Sequence, residues 1–451
     1  MKPHFAQHRE QYVSIMRIAT PIMIAQLGAI ITGYADTMMV GHYTTTALAS
    51  ASWVNNLFNL MVITTLGFSY GITPLVGALH ARGAVRESGE MLRNASVANA
   101  AFGAAMMAAW TLIYFNLDHM GIPGELLSTV RPYYLTILWS MIPLIAVNVM
   151  RQYTDALTHT SVGMWILTCG NALNIIGNYA LIFGHWGAPE MGLLGAGVST
   201  LISRVAMAVA FVAVLGGMKR YRTAMHGFAT GSANAATVAQ VCRTSLPVAL
   251  QMGMETGIFT VAALMVARLG APTLAAYQVL VMLGSIGFMV YYAIGAATSI
   301  KIARHCGTGR TDLVQAASQA GYCITLVAAV VAGCIFVGLG RWITMAFTAD
   351  TEVQSIAMSA MWLLAAYQLG DATQVAYSNS LRGIGVTAPV MHIAFVSYVA
   401  LGIPLLWLLA FGAGMGLPGI YAGFVVALLA AGLLFRRSFN KALKNTAKNA
   451  Q

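Results

Sequence analysis

The sequence predicts an all-α integral membrane protein in which twelve transmembrane helices form two pseudo-symmetric six-helix bundles. Three observations support this fold class. The chain of 451 residues is 58% hydrophobic and only 8% charged, whereas a soluble domain carries about 25% charged residues. About twelve apolar stretches approach the ~20 residues that span hydrocarbon. The two halves of the chain also repeat each other weakly.

The predicted spans end where apolar residues give way to charged or turn-forming residues. In chain order they cover residues 14–38, 47–73, 93–115, 131–150, 162–184, 191–215, 240–267, 274–299, 316–339, 355–380, 390–412 and 417–435. The N-terminus lacks a short apolar region followed by a cleavage site, so we expect the first span to be retained.

The basic residues predict how the chain is oriented. With the N-terminus inside, all but four of the 24 Lys and Arg residues fall on the inner side. The exceptions are Arg131, Arg268 and Arg341 in outer loops and Arg204 within a span. Because cytoplasmic loops are enriched in Lys and Arg, both termini are predicted to be cytoplasmic. The net charge of +11 therefore indicates orientation and not a nucleic-acid partner.

An internal repeat predicts the division into two bundles. Arg17, Pro21, Met39 and Val40 recur at one constant offset as Arg243, Pro247, Met265 and Val266. The predicted parts are an N-lobe at 1–217, a cytoplasmic basic linker at 218–240 and a C-lobe with a basic tail at 241–451. Six spans per half give both halves the same orientation. Parallel repeats of this kind are a transporter architecture with its substrate site near the midplane.

Three acidic residues lie inside predicted spans, namely Asp36 in span 1, Glu255 in span 7 and Asp371 in span 10. A charge at a helix centre costs about 2.5–3.5 kcal/mol on insertion scales, so such residues are functional candidates. Arg204 in span 6 is the sole basic candidate to neutralise these acids, and one Arg cannot pair with three acids. We therefore expect at least two to be protonated, hydrated or bound to a cation. The alternative is a protonated acid that hydrogen-bonds two helices.

Polar neighbours accompany the two acids of the C-terminal half. Tyr367 and Gln374 lie one turn before and one turn after Asp371, so the three share a helix face. Gln251 precedes Glu255 by one turn. Carboxylate, amide and phenol oxygens suit a hard cation such as Na⁺ and serve proton transfer equally. The sequence therefore leaves the choice between Na⁺ and H⁺ open.

Three asparagines form a polar stripe in span 5. Asn171, Asn174 and Asn178 follow helical spacing within an otherwise apolar segment. We interpret the stripe as part of a functional site. The alternative is a seam of hydrogen bonds between helices, which is common in membranes.

Other function classes lack their motifs. The sequence contains no P-loop, no Gly-rich strand–helix fingerprint, no clustered histidines and no GxSxG. The five cysteines form no CxxC pair, which disfavours a zinc site or a disulfide framework. We therefore expect no cofactor, no ATP-driven mechanism and no enzymatic activity.

Five motifs together resemble the multidrug and toxic compound extrusion (MATE) family, specifically its NorM-like bacterial branch, over about residues 10–440. They are ITGYADTMMVGH around Asp36, LQMGMETG around Glu255, AAYQLGDATQ around Asp371, NALNIIGN in span 5, and MGLLGAGVST at the start of span 6. The resemblance implies a V-shaped transporter with alternating access. Such a protein would export organic cation drugs and dyes in exchange for Na⁺ or H⁺, the coupling ion.

The resemblance also implies two cation-coupling sites. The C-lobe site, where Na⁺ is the candidate metal, comprises Glu255, Asp371 and Tyr367. The N-lobe site comprises Asp36, Asn174, Asn178 and Thr200. Gln278 matches a substrate-cavity residue of the family, and the substrate is expected to reach the three acids as well. One departure is the small-residue stretch Gly195–Gly197, where some relatives offer an extra polar ligand.

We expect a monomer in contact with membrane lipid in the bacterial inner membrane. Three other functions stay open at this point. A lipid-linked saccharide flippase would line its cavity with Arg and Lys. A membrane enzyme acting on lipid would need a nucleophile, metal or His beside its acids. A cation channel would show flux without counter-transport.

Overall fold

The computed structural model describes residues 2–120 and 123–449, and the side chains of residues 9–120 and 123–445. Its helices are α1 (Lys2–Tyr43), α2 (Thr45–Ser69), α3 (Ile72–Ala81), α4 (Val85–Phe115), α5 (Gly124–Ala156), α6 (Thr160–Phe183), α7 (Leu193–Gly217), α8 (Arg222–Thr230), α9 (Ala235–Ala267), α10 (Ala271–Gly307), α11 (Thr311–Phe347), α12 (Thr351–Gly383), α13 (Ala388–Ala394), α14 (Ile403–Trp407) and α15 (Gly416–Asn449). Two π-helical segments, Phe395–Gly402 and Leu408–Gly412, flank α14. The described residues contain no strand.

Each predicted span corresponds to a helix or to a run of contiguous helical segments. Within the described residues, eleven segments are long and apolar enough to cross a membrane. The helix missing from these eleven is α12, although it has 33 residues. Its second half is polar and carries Gln368, Asp371, Gln374, Asn379 and Arg382. The most polar span of the protein is therefore the one that holds two of the predicted site residues.

The chain folds into two compact units. One comprises Ile24–Ala249, and the other comprises Met1–Met23 together with Leu250–Gln451. The start of α1 belongs to the second unit because its apolar face packs on α10. The packed residues are Ile15, Ile18, Ala19 and Ile22 against Ala293, Ile294, Ala297 and Ile300. These units begin and end at other residues than the predicted lobes, which remain a prediction.

Much of the predicted linker, 218–240, is helical. It contains α8, and α9 already begins at Ala235. Helix α8 lies tightly against α4, since a Cβ on Gly89 would lie 1.8 Å from the Ala224 carbonyl oxygen. Arg93 donates to the carbonyl oxygens of Phe228 and Ala229, each at 3.2 Å. The segment is thus fixed to the first unit.

Helix α12 lies at the centre of the second unit, where it packs against α10, α11 and α15. Two glycines of α10 allow the close approach. A Cβ on Gly287 would lie 2.4 Å from Gln368 Oε1, and one on Gly295 would lie 2.7 Å from Asn379 Nδ2. The polar half of α12 is therefore enclosed by other helices, and its side chains must find partners inside the protein.

We predict that Gly89→Ala destabilises the protein by about 1–3 kcal/mol, because the added methyl group overlaps a backbone carbonyl that cannot move alone. The matched control is Gly216→Ala in α7, where a Cβ would meet nothing within 4 Å. Thermal unfolding in detergent measures both variants. A melting temperature of Gly89→Ala equal to that of Gly216→Ala would contradict the described packing of α8 on α4.

Candidate functional site

Glu255 lies in α9, and both of its carboxylate oxygens accept hydrogen bonds from amides. Gln251, one turn earlier, donates through Nε2 to Oε2 at 2.7 Å. Gln374 of α12 donates through Nε2 to Oε1 at 2.9 Å. The pair Gln251–Glu255 follows the i, i+4 spacing of one helix face, whereas the contact with Gln374 joins α9 to α12. Glu255 is therefore a link between two helices as well as a titratable group.

Gln374 connects the two acids of this unit. Its Nε2 also donates to Asp371 Oδ1 at 3.1 Å, and its Oε1 accepts from the hydroxyl of Tyr398 at 2.9 Å. Asp371 is only 1% exposed. Its second oxygen, Oδ2, has no hydrogen-bond partner among the described residues. One amide thus bridges two carboxylates, and one buried carboxylate oxygen stays open.

Arg382 is part of the same network, which sequence reasoning missed. It was assigned to an inner loop, but it is the penultimate residue of α12 and is 4% exposed. Arg382 donates to Gln251 Oε1 and to Asn379 Oδ1, the latter at 3.4 Å, and interacts electrostatically with Glu255. The prediction that Arg204 is the sole basic candidate to neutralise the acids was therefore wrong. Its position eleven residues after Asp371, three turns along the same face, was the available signal.

Tyr367 lies one turn before Asp371 and belongs to an aromatic group. Its ring centroid is 6.2–6.4 Å from those of Phe259, Phe424 and Tyr421. It is also within electrostatic range of Asp371 and Glu255. The predicted set Glu255, Asp371 and Tyr367 is thus gathered in one place. Tyr367 forms an apolar wall of that place, while Gln374 supplies the direct contacts between the acids.

Asp36 lies in the other unit, where α1 meets α6. Asn178 donates through Nδ2 to Asp36 Oδ1. Asn174, one turn earlier, faces the same oxygen with its amide nitrogen at 2.9 Å, while its carbonyl oxygen accepts from the backbone N–H of Thr200 at 3.3 Å. This amide orientation gives both the nitrogen and the oxygen of the Asn174 side chain a suitable partner. All four predicted residues of this site lie together.

Arg204 does not form an ion pair with Asp36. Within the described chain no ion pair of up to 4.0 Å joins the two, although they interact electrostatically. Arg204 instead donates to the hydroxyl of Ser140 at 2.6 Å. The carbonyl oxygen of Asn178, Oδ1, is buried and has no hydrogen-bond partner in the described part of the protein. This site, like the other one, keeps an oxygen atom available.

The small residues Gly195–Gly197 have a packing role. A Cβ on Gly195 would lie 2.5 Å from the Leu181 carbonyl oxygen, and one on Gly197 would lie 3.1 Å from the side chain of Thr136. A larger residue here would push α7 away from α5 and α6. Thr200 lies one turn further along α7, and its hydroxyl donates to the Ala196 carbonyl oxygen at 2.9 Å.

Two further predicted residues have other surroundings. Asn171 continues the stripe of α6 and faces α1, since a Cβ on Gly28 would lie 3.3 Å from its Nδ2. Gln278 is exposed on α10. Its neighbour Tyr277 is buried and donates to the carbonyl oxygen of Phe259 at 3.0 Å. Asn171 thus lies on the same helix as Asn174 and Asn178 of the Asp36 site and also faces α1. The side chain of Gln278 is accessible.

Comparison with known proteins matches the chain to one family. The MatE family profile matches residues 21–180 and 247–408. The fold is similar to that of a eukaryotic MATE transporter, AtDTX14, with a TM-score of 0.87 and 18% identity over 99% of this chain and 100% of that chain. It is also similar to a MOP superfamily transporter from Pyrococcus furiosus, with a TM-score of 0.88 and 15% identity over 97% of each chain. A multidrug resistance MATE family transporter in an outward-facing conformation gives a TM-score of 0.89 and 16% identity over 97% of each chain. At these identities the likeness shows the fold, which confirms the predicted all-α membrane class.

We predict that Gln374→Leu lowers the free energy of unfolding by about 1–3 kcal/mol for each buried group left without a partner. Tyr398→Phe should lower it by about 1 kcal/mol. The double variant should lose less than the sum of the two, because both changes break the same bond. Unfolding in detergent monitored by circular dichroism measures all three. Strict additivity would show that Tyr398 and Gln374 do not act together.

Proposed function

We propose that this chain, which belongs to the MatE family of transporters, is a cation-coupled multidrug efflux antiporter. It exports lipophilic organic cations by alternating access in exchange for Na⁺ or H⁺. Members of this family are transporters, so the chain is a multi-pass membrane transporter and not an enzyme. Within the proposal we place the chain in the NorM-like branch, as a monomer in the bacterial inner membrane with both termini cytoplasmic.

One observation carries the proposal, namely the bridge that Gln374 forms between Glu255 and Asp371 inside the second unit. Two carboxylates that share one amide repel each other when both are charged. Arg382 reaches this network through Gln251. A further cation that binds here relieves the remaining repulsion. The cluster is therefore suited to take up one coupling ion and to release it when the helices rearrange.

The open oxygen of Asp371 indicates where that ion would bind first. Three of the four carboxylate oxygens already accept from the amide nitrogens of Gln251 and Gln374. A proton can add at Oδ2 without displacing any of these donors. Na⁺ would take the same oxygen as its first ligand, and it would need further oxygens from Glu255 and the Tyr367 hydroxyl. Both ions remain part of the proposal.

Asp36 with Asn174, Asn178 and Thr200 forms a second cation-coupling site, and Asp36, Glu255, Asp371 and Gln278 are proposed to contact the substrate. Coupling requires that the ion and the drug prefer different conformations, because a ligand that binds both states equally shifts neither. An inward-moving cation also gains about 2.3 kcal/mol per charge per 100 mV of membrane potential. Carboxylates that attract the inward-moving ion also attract organic cations, so the ion and the drug compete for the same acidic side chains.

We predict that Glu255→Gln and Asp371→Asn each reduce gradient-driven efflux of a fluorescent lipophilic cation to the rate of protein-free vesicles. The neutral amides have nearly the same shape as the carboxylates but lack the negative charge that attracts the coupling ion. Proteoliposomes are tested under a Na⁺ gradient at fixed pH and then under a pH gradient without Na⁺. The matched control is Glu352→Gln, which removes an exposed acid at the start of the same helix, α12.

Flux that Glu352→Gln retains and both site variants lose would support the antiporter and identify its ion. Normal flux in both site variants would contradict the role of the bridged pair. No flux of the wild-type protein under either gradient would contradict export of organic cations, and lipid-linked saccharides would be tested next.

A further inference from the structure

Helices α1 and α6 run side by side in the same direction, since residue numbers rise along both helices from one contact to the next. Gly28 faces Asn171, and about two turns further on Asp36 accepts from Asn178. Beyond that contact the two helices and the turn after α6 border an open pocket of about 550 Å³. A volume of this size accommodates a drug-sized molecule. We call it the α1–α6 pocket, and all of its lining residues belong to the first unit.

One wall of the α1–α6 pocket is a single face of α1. It is lined by Ala35, Met38, Met39 and His42, whose spacing of three, four and seven residues places them on one side of the helix. The side chain of Met38 is 62% exposed. Methionine is flexible and polarisable, so this wall can adapt to ligands of different shapes.

The opposite wall is aromatic. Tyr179 and Phe183 lie one turn apart on α6, and His185 follows after Gly184. The rings of Tyr179 and His185 are stacked, with centroids 4.4 Å apart. The rings of Tyr179 and Phe183 have centroids 6.2 Å apart. Three ring faces thus border the same space, and Tyr179 is still 41% exposed to whatever enters.

A left-handed turn holds this aromatic wall in place. Gly184, Trp186 and Gly187 have φ values of 73°, 59° and 80°. A bulky residue rarely adopts positive φ, and at Trp186 the turn brings the indole to 5.3 Å from the ring of Tyr179. Trp186 is nevertheless 74% exposed. The turn therefore places the indole of Trp186 beside Tyr179, next to the pocket.

The charges around the α1–α6 pocket favour a cation. Its lining includes no Lys or Arg among the described residues. Asp36 follows Ala35 in α1, and Glu190 interacts electrostatically with Tyr43, whose ring is 6.3 Å from that of Phe183. Aromatic faces carry negative quadrupole charge and attract cations. An aromatic lining without Lys or Arg therefore favours a cation over an anion.

We propose that the α1–α6 pocket is a second binding station for planar lipophilic organic cations, distinct from the contact with Asp36 itself. The inference rests on the proposed function and adds a place where the substrate pauses. Each exposed ring strengthens cation binding by about two- to fivefold. Binding of this strength suits a site from which the substrate dissociates readily. The coupling ion is exchanged at the buried carboxylates, which are separate from this pocket.

The test is equilibrium binding of a cationic rhodamine dye to the purified full-length protein in detergent, measured by fluorescence anisotropy. Tyr179→Leu removes a pocket ring, and we expect the Kd to rise about two- to fivefold. Tyr179→Phe keeps the ring and should leave the Kd unchanged. Trp165→Leu is the matched control, because it removes a 63% exposed aromatic residue of the same helix that does not line the pocket.

A neutral analogue of the dye separates cation binding from a general effect on the fold. Variants are compared only when their melting temperatures equal that of the wild-type protein. An equal loss for the neutral and the cationic dye would overturn the proposal, since a cation–aromatic contact acts on the charge. An unchanged Kd in Tyr179→Leu would overturn it too, and would leave the antiporter standing. If the wild-type protein binds no dye at all, the proposed function itself fails.

Discussion

Two acidic side chains, Glu255 and Asp371, lie close together inside an apolar helical unit, and the side chains around them supply hydrogen bonds that stabilise them. Buried charges and polar groups are costly unless they are hydrogen-bonded. Gln374 meets this requirement for both acids at once, and Tyr398 holds Gln374 in the orientation that allows it. Arg382 in turn fixes Gln251, the other donor to Glu255. Among the four carboxylate oxygens of the two acids, Oδ2 of Asp371 has no hydrogen-bond partner in the described residues, and we infer that a mobile cation completes this compensation.

The two units reach similar chemistry by different means. In the first unit one carboxylate, Asp36, is held by two asparagines of α6. In the second unit two carboxylates share Gln374 of α12, and Glu255 accepts from Gln251 of its own helix as well. The shared scaffold therefore does not impose a shared site. The proposed antiport requires that ion and drug favour different conformations, and two unequal sites in one chain would provide that difference.

Sequence reasoning predicted the helices and the acids, because a charge within an apolar stretch is rare and the spacing of span 5 is regular. It missed Arg382, because an arginine near the end of a span reads as a loop residue until its helix is known to continue to Gly383. It also missed Tyr398, which contacts Gln374 from a π-helical segment. The periodicity of the sequence does not predict such a segment. Trp186 was equally hidden, since its exposure and its contact with Tyr179 depend on a left-handed turn. Local patterns reveal which residues are unusual, whereas their partners depend on how distant helices pack.

Whether the pair bridged by Gln374 takes up the coupling ion can be measured on the carboxyl groups themselves. Infrared difference spectroscopy of the membrane-reconstituted protein reports on carboxyl groups as Na⁺ replaces K⁺ at fixed pH, or as pH falls without Na⁺. We expect a carboxyl difference band in the wild-type protein that is reduced or lost in both Glu255→Gln and Asp371→Asn and persists in Glu352→Gln. A band that both site variants retain in full would contradict the account, because the ion would then bind elsewhere.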